Sequence, residues 1–348
     1  MSTIKRVAES AGVSVATVSR VANSSGFVRP ELRDRVEIAM KELRYRPSAV
    51  ARGLRVQQTR TVGILVPKLD HPFFGALAFA IEQALFVRGY RSFMCSANEN
   101  LERENVYLEM LVSQRVDGVI MVPTGRDANG VRRLREQHMP VVTVDRAPSE
   151  IDADAVSIDN FNGARALATH LLELGHRRIA VLSPPETSEP IRHRLQGIRQ
   201  AFLGRGLEFD ESLLLTGPLE QFEMGYRGGT TLLAKHERPS AIMALTDVTA
   251  VGVLHAAHDL GLQVPHDLSV TGFDDIPLAQ HALPGLTTVA QPIYEMGLKA
   301  VELLLQRLVQ PEAKPEALLL PASLVVRGSS AAPSQVSSQT QQRARKRS

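Results

Sequence analysis

From Thr61 onward the sequence alternates short runs rich in Val, Ile, Leu and Ala with segments whose apolar residues recur at helical spacing. Runs at 62–66, 118–122 and 141–144 form one series, and runs at 179–182, 241–245 and 268–273 form a second. A run that is apolar at consecutive positions has both faces covered, as in parallel strands held between two layers of helices. Strands that alternate with helices build parallel, doubly wound sheets. Two series therefore predict an α/β body of two lobes over residues 61–328, with chain crossings near Asp159-Asn160 and at 287–292. The first lobe is expected at about 61–158 and 289–318, and the second at about 159–288 and 319–328.

The first sixty residues follow another pattern. Ile4, Val7, Ala8 and Ala11 lie at helical spacing, Gly12 follows, and Ser14 and Thr17 precede Val18, Val21 and Ala22, which reads as helix, tight turn, helix. A third amphipathic helix over 30–43 brings Leu32, Val36, Ala39, Met40 and Leu43 to the same small core. Residues 1–60 hold twelve Lys and Arg against five Asp and Glu, residues 61–328 carry a net charge of −8, and residues 329–348 add +4. A small basic module ahead of an acidic body suits neutralisation of phosphates with release of their counterions.

On the second helix, Val15, Ala16, Thr17 and Arg20 are not needed by the core, and a recognition helix uses such positions. Arg20 suits guanine O6 and N7, Val15 and Ala16 suit thymine methyls, and Thr17, Ser19 and Asn23 suit phosphates. Thr3 and Ser14 complete the DNA-facing set of this headpiece, placed at 1–46. A three-helix bundle with no partner stays open on these residues alone. The hinge and linker at 47–60 can hold about two helical turns after Ser48, and so short a helix is marginal in water. Gly53 weakens it by up to about 1 kcal/mol relative to alanine, so order is expected only when something holds it. Leu54, flanked by Arg52 and Arg55, fits an apolar wedge entering a minor groove while the arginines follow the backbone, and Ala51 joins the DNA-facing set. An ordinary linker is the plain alternative.

The ordered segments Thr3-Ile4-Lys5 to Val7-Ala8, Ala11-Gly12-Val13-Ser14, Thr17-Val18-Ser19-Arg20-Val21, Tyr45-Arg46-Pro47 and Ala51-Arg52-Gly53-Leu54-Arg55 resemble the LacI/GalR family of bacterial transcriptional regulators. The resemblance continues through the body. It implies a periplasmic-binding-protein-like fold with an effector between the lobes, operator DNA as partner, and assembly as homodimers or tetramers. It also implies paired hinge helices that form on the operator and insert the leucine at the position of Leu54. Gly53 stands where the family more usually has serine or another non-glycine residue.

Open α/β sheets bind small molecules beyond the carboxyl ends of their strands. Lys68, Asp70 and His71 with Phe73 and Phe74 follow the first strand; Thr124, Asp145-Arg146, Asp159, Ser183, Thr246-Asp247 and Asp274-Asp275 follow later ones. Five acidic sites are thus expected around one rim. Carboxylates accept hydrogen bonds from hydroxyls, so a sugar or sugar derivative is favoured, with Phe74 or Phe222 packing on its ring carbons. Arg194 offers a fork of donors from the start of its helix. Read without the family, Arg194 is equally a surface arginine, and the acids are equally turn or helix caps. The resemblance makes Arg194 the effector arginine, Asp274 the effector aspartate and Asp145 the first-lobe acid. His71 and Thr246 stand where the family often has asparagine.

Other classes lack their signatures. Cys95 is the only cysteine, so no intramolecular disulfide forms, and it most simply fills a strand core. No zinc-site spacing, HExxH pattern or Ser/His/Asp order is present, and Gly225-Tyr226-Arg227-Gly228-Gly229 lacks the order of a dinucleotide loop. No cofactor and no enzymatic turnover are expected. The amino terminus lacks the apolar run of a signal peptide and no stretch suits a bilayer, so a cytoplasmic location with no membrane partner is expected. No leucine heptad follows Arg327, which favours a homodimer, and 329–348 are expected to be a disordered basic tail. The expected function is a repressor controlled by an effector in the cleft. A purine or nucleoside corepressor is the alternative in the same class, and a solute-binding transport protein is the alternative in another.

Overall fold

The computed structural model describes residues 3–22, 26–45, 58–125, 129–146, 153–186, 188–217 and 221–334. They divide into two units, Met1–Arg60 and Thr61–Ser348. In the first, α1 (Ile4–Ala11) begins where Thr3 Oγ1 accepts the Arg6 N–H at 3.4 Å. It ends at Gly12, whose φ of 62° lets the Gly12 N–H reach the Glu9 carbonyl at 3.2 Å. Ser14 then opens α2 (Val15–Ala22) by accepting the Thr17 N–H at 3.1 Å. Pro30 starts α3 (Pro30–Glu42), where a missing N–H costs nothing. Val7, Ala8, Ala11, Val18, Val21, Val28, Val36 and Ala39 form the core, and the small alanines let the helices cross closely.

The second unit opens with β1 (Thr61–Val66), α4 (Pro72–Val87), β2 (Arg91–Ser96), α5 (Leu101–Ser113), β3 (Gly118–Met121), α6 (Asn129–Glu136), β4 (Val141–Val144) and β5 (Asp154–Ile158). These strands and the late β11 (Ala317–Leu320) make a parallel sheet in the order β11-β5-β4-β3-β1-β2. Strand β1 shows why its run is apolar throughout. Val62, Ile64 and Val66 face the core that also holds Phe73, Leu77 and Val301, while Leu65 packs on the other face with Leu108 and Leu111. The helix α12 (Ile293–Val309) returns to this lobe, and the sheet continues through Leu320, which pairs with Ile158.

The second lobe contains α7 (Asn160–Glu173), β6 (Ile179–Ser183), α8 (Glu189–Leu203), a 3-10 turn (Glu211–Leu213), β7 (Leu214–Thr216), α9 (Gln221–Leu233), β8 (Ala241–Ala244), α10 (Asp247–Asp259), β9 (Ser269–Thr271) and α11 (Pro277–His281). Its sheet is parallel in the order β7-β6-β8-β9. An antiparallel ribbon of β10 (Thr288–Ala290) and β12 (Ser323–Val325) lies on the crossing segments. The Gly225–Gly229 run serves helix packing, since a Cβ on Gly225 would overlap the Thr249 carbonyl where α9 crosses α10.

Among the described residues, no helix is long and apolar enough to cross a membrane. Cys95 is buried in β2, and burial pushes its thiol up to about 11. One expectation needs correction: the disordered tail does not begin at 329. Ser329 is fully buried, its hydroxyl donates to the Val270 carbonyl at 2.5 Å and accepts the Thr287 N–H at 2.8 Å, and its carbonyl accepts the Val270 N–H at 2.9 Å. Ser330 and Ala331 continue along His170, Thr287 and the buried His176. Hydrogen bonds, not apolar periodicity, hold this stretch to the edge of the sheet, so a pattern of hydrophobicity missed it. Residues 335–348 lie outside the described residues.

Candidate functional site

The headpiece presents a polar and small-residue face on α2. Ser14, Val15, Ala16 and Arg20 are exposed, with Val15 at 41%, whereas Val18 and Val21 turn inward. Thr17 and Ser19 are partly buried, and Thr17 Oγ1 lies 3.0 Å from Ser14 Oγ. Thr3 is exposed at the start of α1. The site residues Asn23, Ala51, Leu54 and Arg55 lie outside the described residues. A short helix with its amino-terminal residues free of the core is what entry into a major groove requires.

In the body, the carboxyl ends of the strands bring charged side chains together. Arg194, on α8, is buried: Nε donates to Asn160 Oδ1 at 2.8 Å, Nη1 donates to the Leu245 carbonyl at 2.7 Å, and the guanidinium lies 3.6 Å above the Phe273 ring. Its Nη1 is 3.7 Å from Asp274 Oδ1, which also accepts Gln291 Nε2 at 2.7 Å. Burial works against the charge on Arg194, but a guanidinium titrates so far above neutrality that it stays protonated. Burial also raises the carboxyls. Asp145, after β4, is pushed up by desolvation against the pull of Arg146 and Arg194. Asp247 and Asp274 titrate together, pushed up to about 7 chiefly by burial. Asp145 at φ 65° and Asp274 at φ 124° hold backbone conformations that cost side-chain-bearing residues about 1–3 kcal/mol each, strain of the kind kept where geometry serves a site.

The other expected residues divide. Phe73 and Phe74 are buried at the start of α4, and Arg146 lies 5.6 Å above the Phe74 ring while its guanidinium pairs with both Glu99 oxygens at 3.0 and 2.7 Å. Thr124, after β3, is buried and donates its N–H to Glu104 at 2.7 Å. Thr246 caps α10 by accepting the Thr249 N–H at 3.3 Å and donates its hydroxyl to Gln221 Oε1 at 2.8 Å. The ring of Phe222 packs edge-on to His255, with centroids 5.3 Å apart. Asp70 is exposed.

The expected rim of five acidic sites narrows. Asp159 caps α7, Asp275 pairs with Arg327 at 2.7 Å, and both oxygens of Asp247 are taken, by the Thr288 hydroxyl at 2.6 Å and the Ile276 N–H at 2.9 Å. Their positions after strands are also cap and turn positions, and here that use prevails. Asp145 and Asp274 remain as the buried carboxyls nearest Arg194. Asn160, Gln221 and Gln291 were missed by sequence reasoning. Asn160 and Gln291 had a signal, their places on the two crossings between lobes, and Gln221 had none.

Among the described residues, the buried side-chain polar atoms without a protein partner are His71 Nδ1, Thr124 Oγ1, Asp274 Oδ2, Gln291 Oε1 and Thr271 Oγ1. Thr271 lies within β9, while the other four belong to strand ends or to the crossing segment. These four atoms are left open to hydrogen bonds from outside the protein.

Comparison with known proteins agrees with both parts. The model of the bacterial regulatory proteins of the lacI family matches residues 3–48, and that of the periplasmic binding protein-like domain matches residues 168–330. The chain is 38% identical over 331 residues to the ribose operon repressor of Escherichia coli (strain K12), covering 94% of this chain and all of the relative. It is 36% identical over 331 residues to the HTH-type transcriptional repressor PurR of Escherichia coli O1:K1 / APEC, covering 94% and 97% of the two chains. Among solved structures, the lac repressor dimer bound to operator and an anti-inducer matches with a TM-score of 0.85 at 28% identity over 95% of this chain and 99% of that one. A LacI family transcriptional regulator from Enterococcus faecium with bound ribose matches with a TM-score of 0.71 at 32% identity over 78% and 99%. A headpiece with an exposed second helix, a two-lobed parallel α/β body and similarity along nearly the whole chain have one explanation: this protein belongs to the lacI family of bacterial regulatory proteins.

Proposed function

We propose that this protein is a homodimeric transcriptional repressor that reads operator DNA with α2 and releases it when a neutral polyhydroxylated molecule, the size of an aldopentose, fills the cleft of the body. The observation that carries the effector half is the set of buried polar atoms without a protein partner at His71, Asp274 and Gln291 beside Arg194. Leaving a buried acceptor unpaired costs about 1–3 kcal/mol, so a ligand rich in hydroxyl donors gains where a donor-poor one does not. Charge argues for neutrality, because Arg194 already faces Asp274 and Asp145, and an anion would meet both carboxyls. Similarity to a ribose operon repressor and to a regulator with bound ribose supports this size and class. Similarity to PurR keeps a purine corepressor as the second reading.

We assign binding without turnover to the cleft; the Ser183 hydroxyl, for example, donates to the Pro184 carbonyl at 2.7 Å. The test is a thermal-shift panel of aldopentoses, hexoses, sugar acids, sugar phosphates, nucleosides and purine bases. A ligand at a hundred times its Kd adds about 2.7 kcal/mol, enough for several degrees in Tm. D-Ribose or another aldopentose should raise Tm and the charged sugars should not. A rise with purines alone would overturn the sugar reading.

A further inference from the structure

The two positions where the sequence departs from the family's asparagines, His71 and Thr246, meet on one atom. Gln221 Oε1 lies 2.7 Å from His71 Nε2, on the first lobe, and accepts the Thr246 hydroxyl at 2.8 Å, on the second. We propose that Gln221 forms an interlobe latch that holds the His71 imidazole with its proton on Nε2, so that Nδ1 is an acceptor-only subsite of the cleft and His71 selects ligands that bring a donor there. This rests on the sugar reading of the cleft; it adds which residue discriminates among sugars and which residue positions it.

A carbonyl oxygen only accepts, so with Gln221 Oε1 turned toward the ring the contact with His71 calls for an N–H on Nε2; the Thr246 hydroxyl, 2.8 Å from Oε1 and 2.9 Å from Thr249 Oγ1, fits the same orientation. In a neutral ring the other nitrogen is then a bare lone pair. That nitrogen, Nδ1, is buried with no protein partner. The charged groups around the ring are Asp145, at the end of β4, and Asp70, which favour its protonation, and Lys68, which opposes it. Desolvation is the largest influence and lowers the imidazole below its ordinary value, so the ring is neutral at pH 7.5. The Phe74 ring lies 5.2 Å away and tilted at 52°, which limits reorientation.

An asparagine at this position can turn its amide to offer either a donor or an acceptor. A histidine held by Gln221 offers only the acceptor. Hydroxyls satisfy it; an ether oxygen or a deoxy carbon in the same place does not.

Two measurements on the full-length protein test this. In the first, 15N-histidine NMR at pH 7.5 reads the His71 tautomer, assigned with His71→Gln, in wild type and in Gln221→Leu. The wild type should show a bare Nδ1 and a protonated Nε2, and Gln221→Leu should show a mixture of tautomers. In the second, calorimetry compares D-ribose with its monodeoxy and mono-O-methyl derivatives. At one hydroxyl, both changes should weaken wild-type binding about tenfold or more, and the discrimination should shrink to within about twofold in His71→Phe and in Gln221→Leu.

A wild-type ring protonated on Nδ1 while ribose still binds would overturn the latch and leave the sugar reading standing. Retained discrimination in Gln221→Leu, or an equal loss of affinity for every derivative, would also overturn it. The expected tautomer with no pentose bound would support the latch and overturn the sugar reading.

Discussion

The DNA face and the effector cleft are built on opposite plans. The headpiece keeps its functional side chains outside a core of small residues, so Arg20 and Val15 can change without disturbing Val18 or Val36. The cleft keeps its functional side chains inside, where Arg194, Asp145 and Asp274 are each no more than 6% exposed and depend on one another for charge balance. Recognition is thus separable from stability in the first region and inseparable from it in the second. The reason lies in the partners. A DNA duplex comes to an exposed helix and brings its own solvent and counterions. A small ligand must be surrounded, so the groups that bind it are dehydrated beforehand.

This contrast predicts effects of different size. The largest belongs to Arg194→Ala, which leaves the buried Asp274 without its cation and takes one of two cations from Asp145. Loss of one partner of a buried pair costs about 3–5 kcal/mol, visible in denaturant unfolding of the body, and operator binding should cease to respond to D-ribose. A variant as stable as wild type would break the contrast. Next comes Arg20→Ala, which should weaken binding to a specific operator by about 1–3 kcal/mol with a much smaller effect on random duplexes. Anisotropy titrations at fixed salt measure both, and equal losses would reassign Arg20 to phosphate contact.

A pH effect follows from the buried acids. Asp247 and Asp274 titrate near 7 when folded and in the ordinary carboxyl range when unfolded, so between about pH 4 and 7 the folded state binds more protons. Their contribution therefore destabilises the body as pH rises through that window. His71 and His176, kept neutral by burial, act in the opposite direction below their ordinary value, so the test is a difference between variants. The Tm of Asp274→Asn relative to wild type should increase from pH 5 to pH 8; a flat difference would remove Asp274 from the titrating pair. The smallest effect is Ser14→Ala, which removes the cap of α2 and should cost the headpiece about 1 kcal/mol in thermal unfolding. No change would show that Thr17 carries the turn alone.

What the sequence reveals follows the same division. The strands of both lobes were legible because parallel strands covered on both faces are apolar runs, and the runs at 118–122, 141–144 and 179–182 became β3, β4 and β6. The turn of the headpiece was legible because Gly12 and Ser14 act on their immediate neighbours. Arg194, Asp145 and Asp274 could be singled out only through the family resemblance, since their places near strand ends and helix starts served equally for caps and surface charges. Their partners could not. Asn160 reaches Arg194 across 34 positions and Gln221 reaches His71 across 150, and no local pattern marks either glutamine or asparagine for that task. For the same reason an acid after a strand does not announce whether it will cap a helix, as Asp159 does, or remain in the cleft, as Asp145 does. Ser329 shows the limit for order itself, since its hydroxyl and backbone replace the apolar contacts that a hydrophobic pattern detects.

In the function proposed above, a hydroxyl-rich ligand in the body controls binding of DNA by the headpiece. The direct measurement is the Kd of the full-length protein for a duplex selected from a random library, at fixed salt, with no addition, with D-ribose, and with a purine base. D-Ribose should raise this Kd about tenfold or more, within the usual range of coupling between sites, while the purine base should leave it unchanged. A Kd insensitive to D-ribose and lowered by the purine base would contradict it.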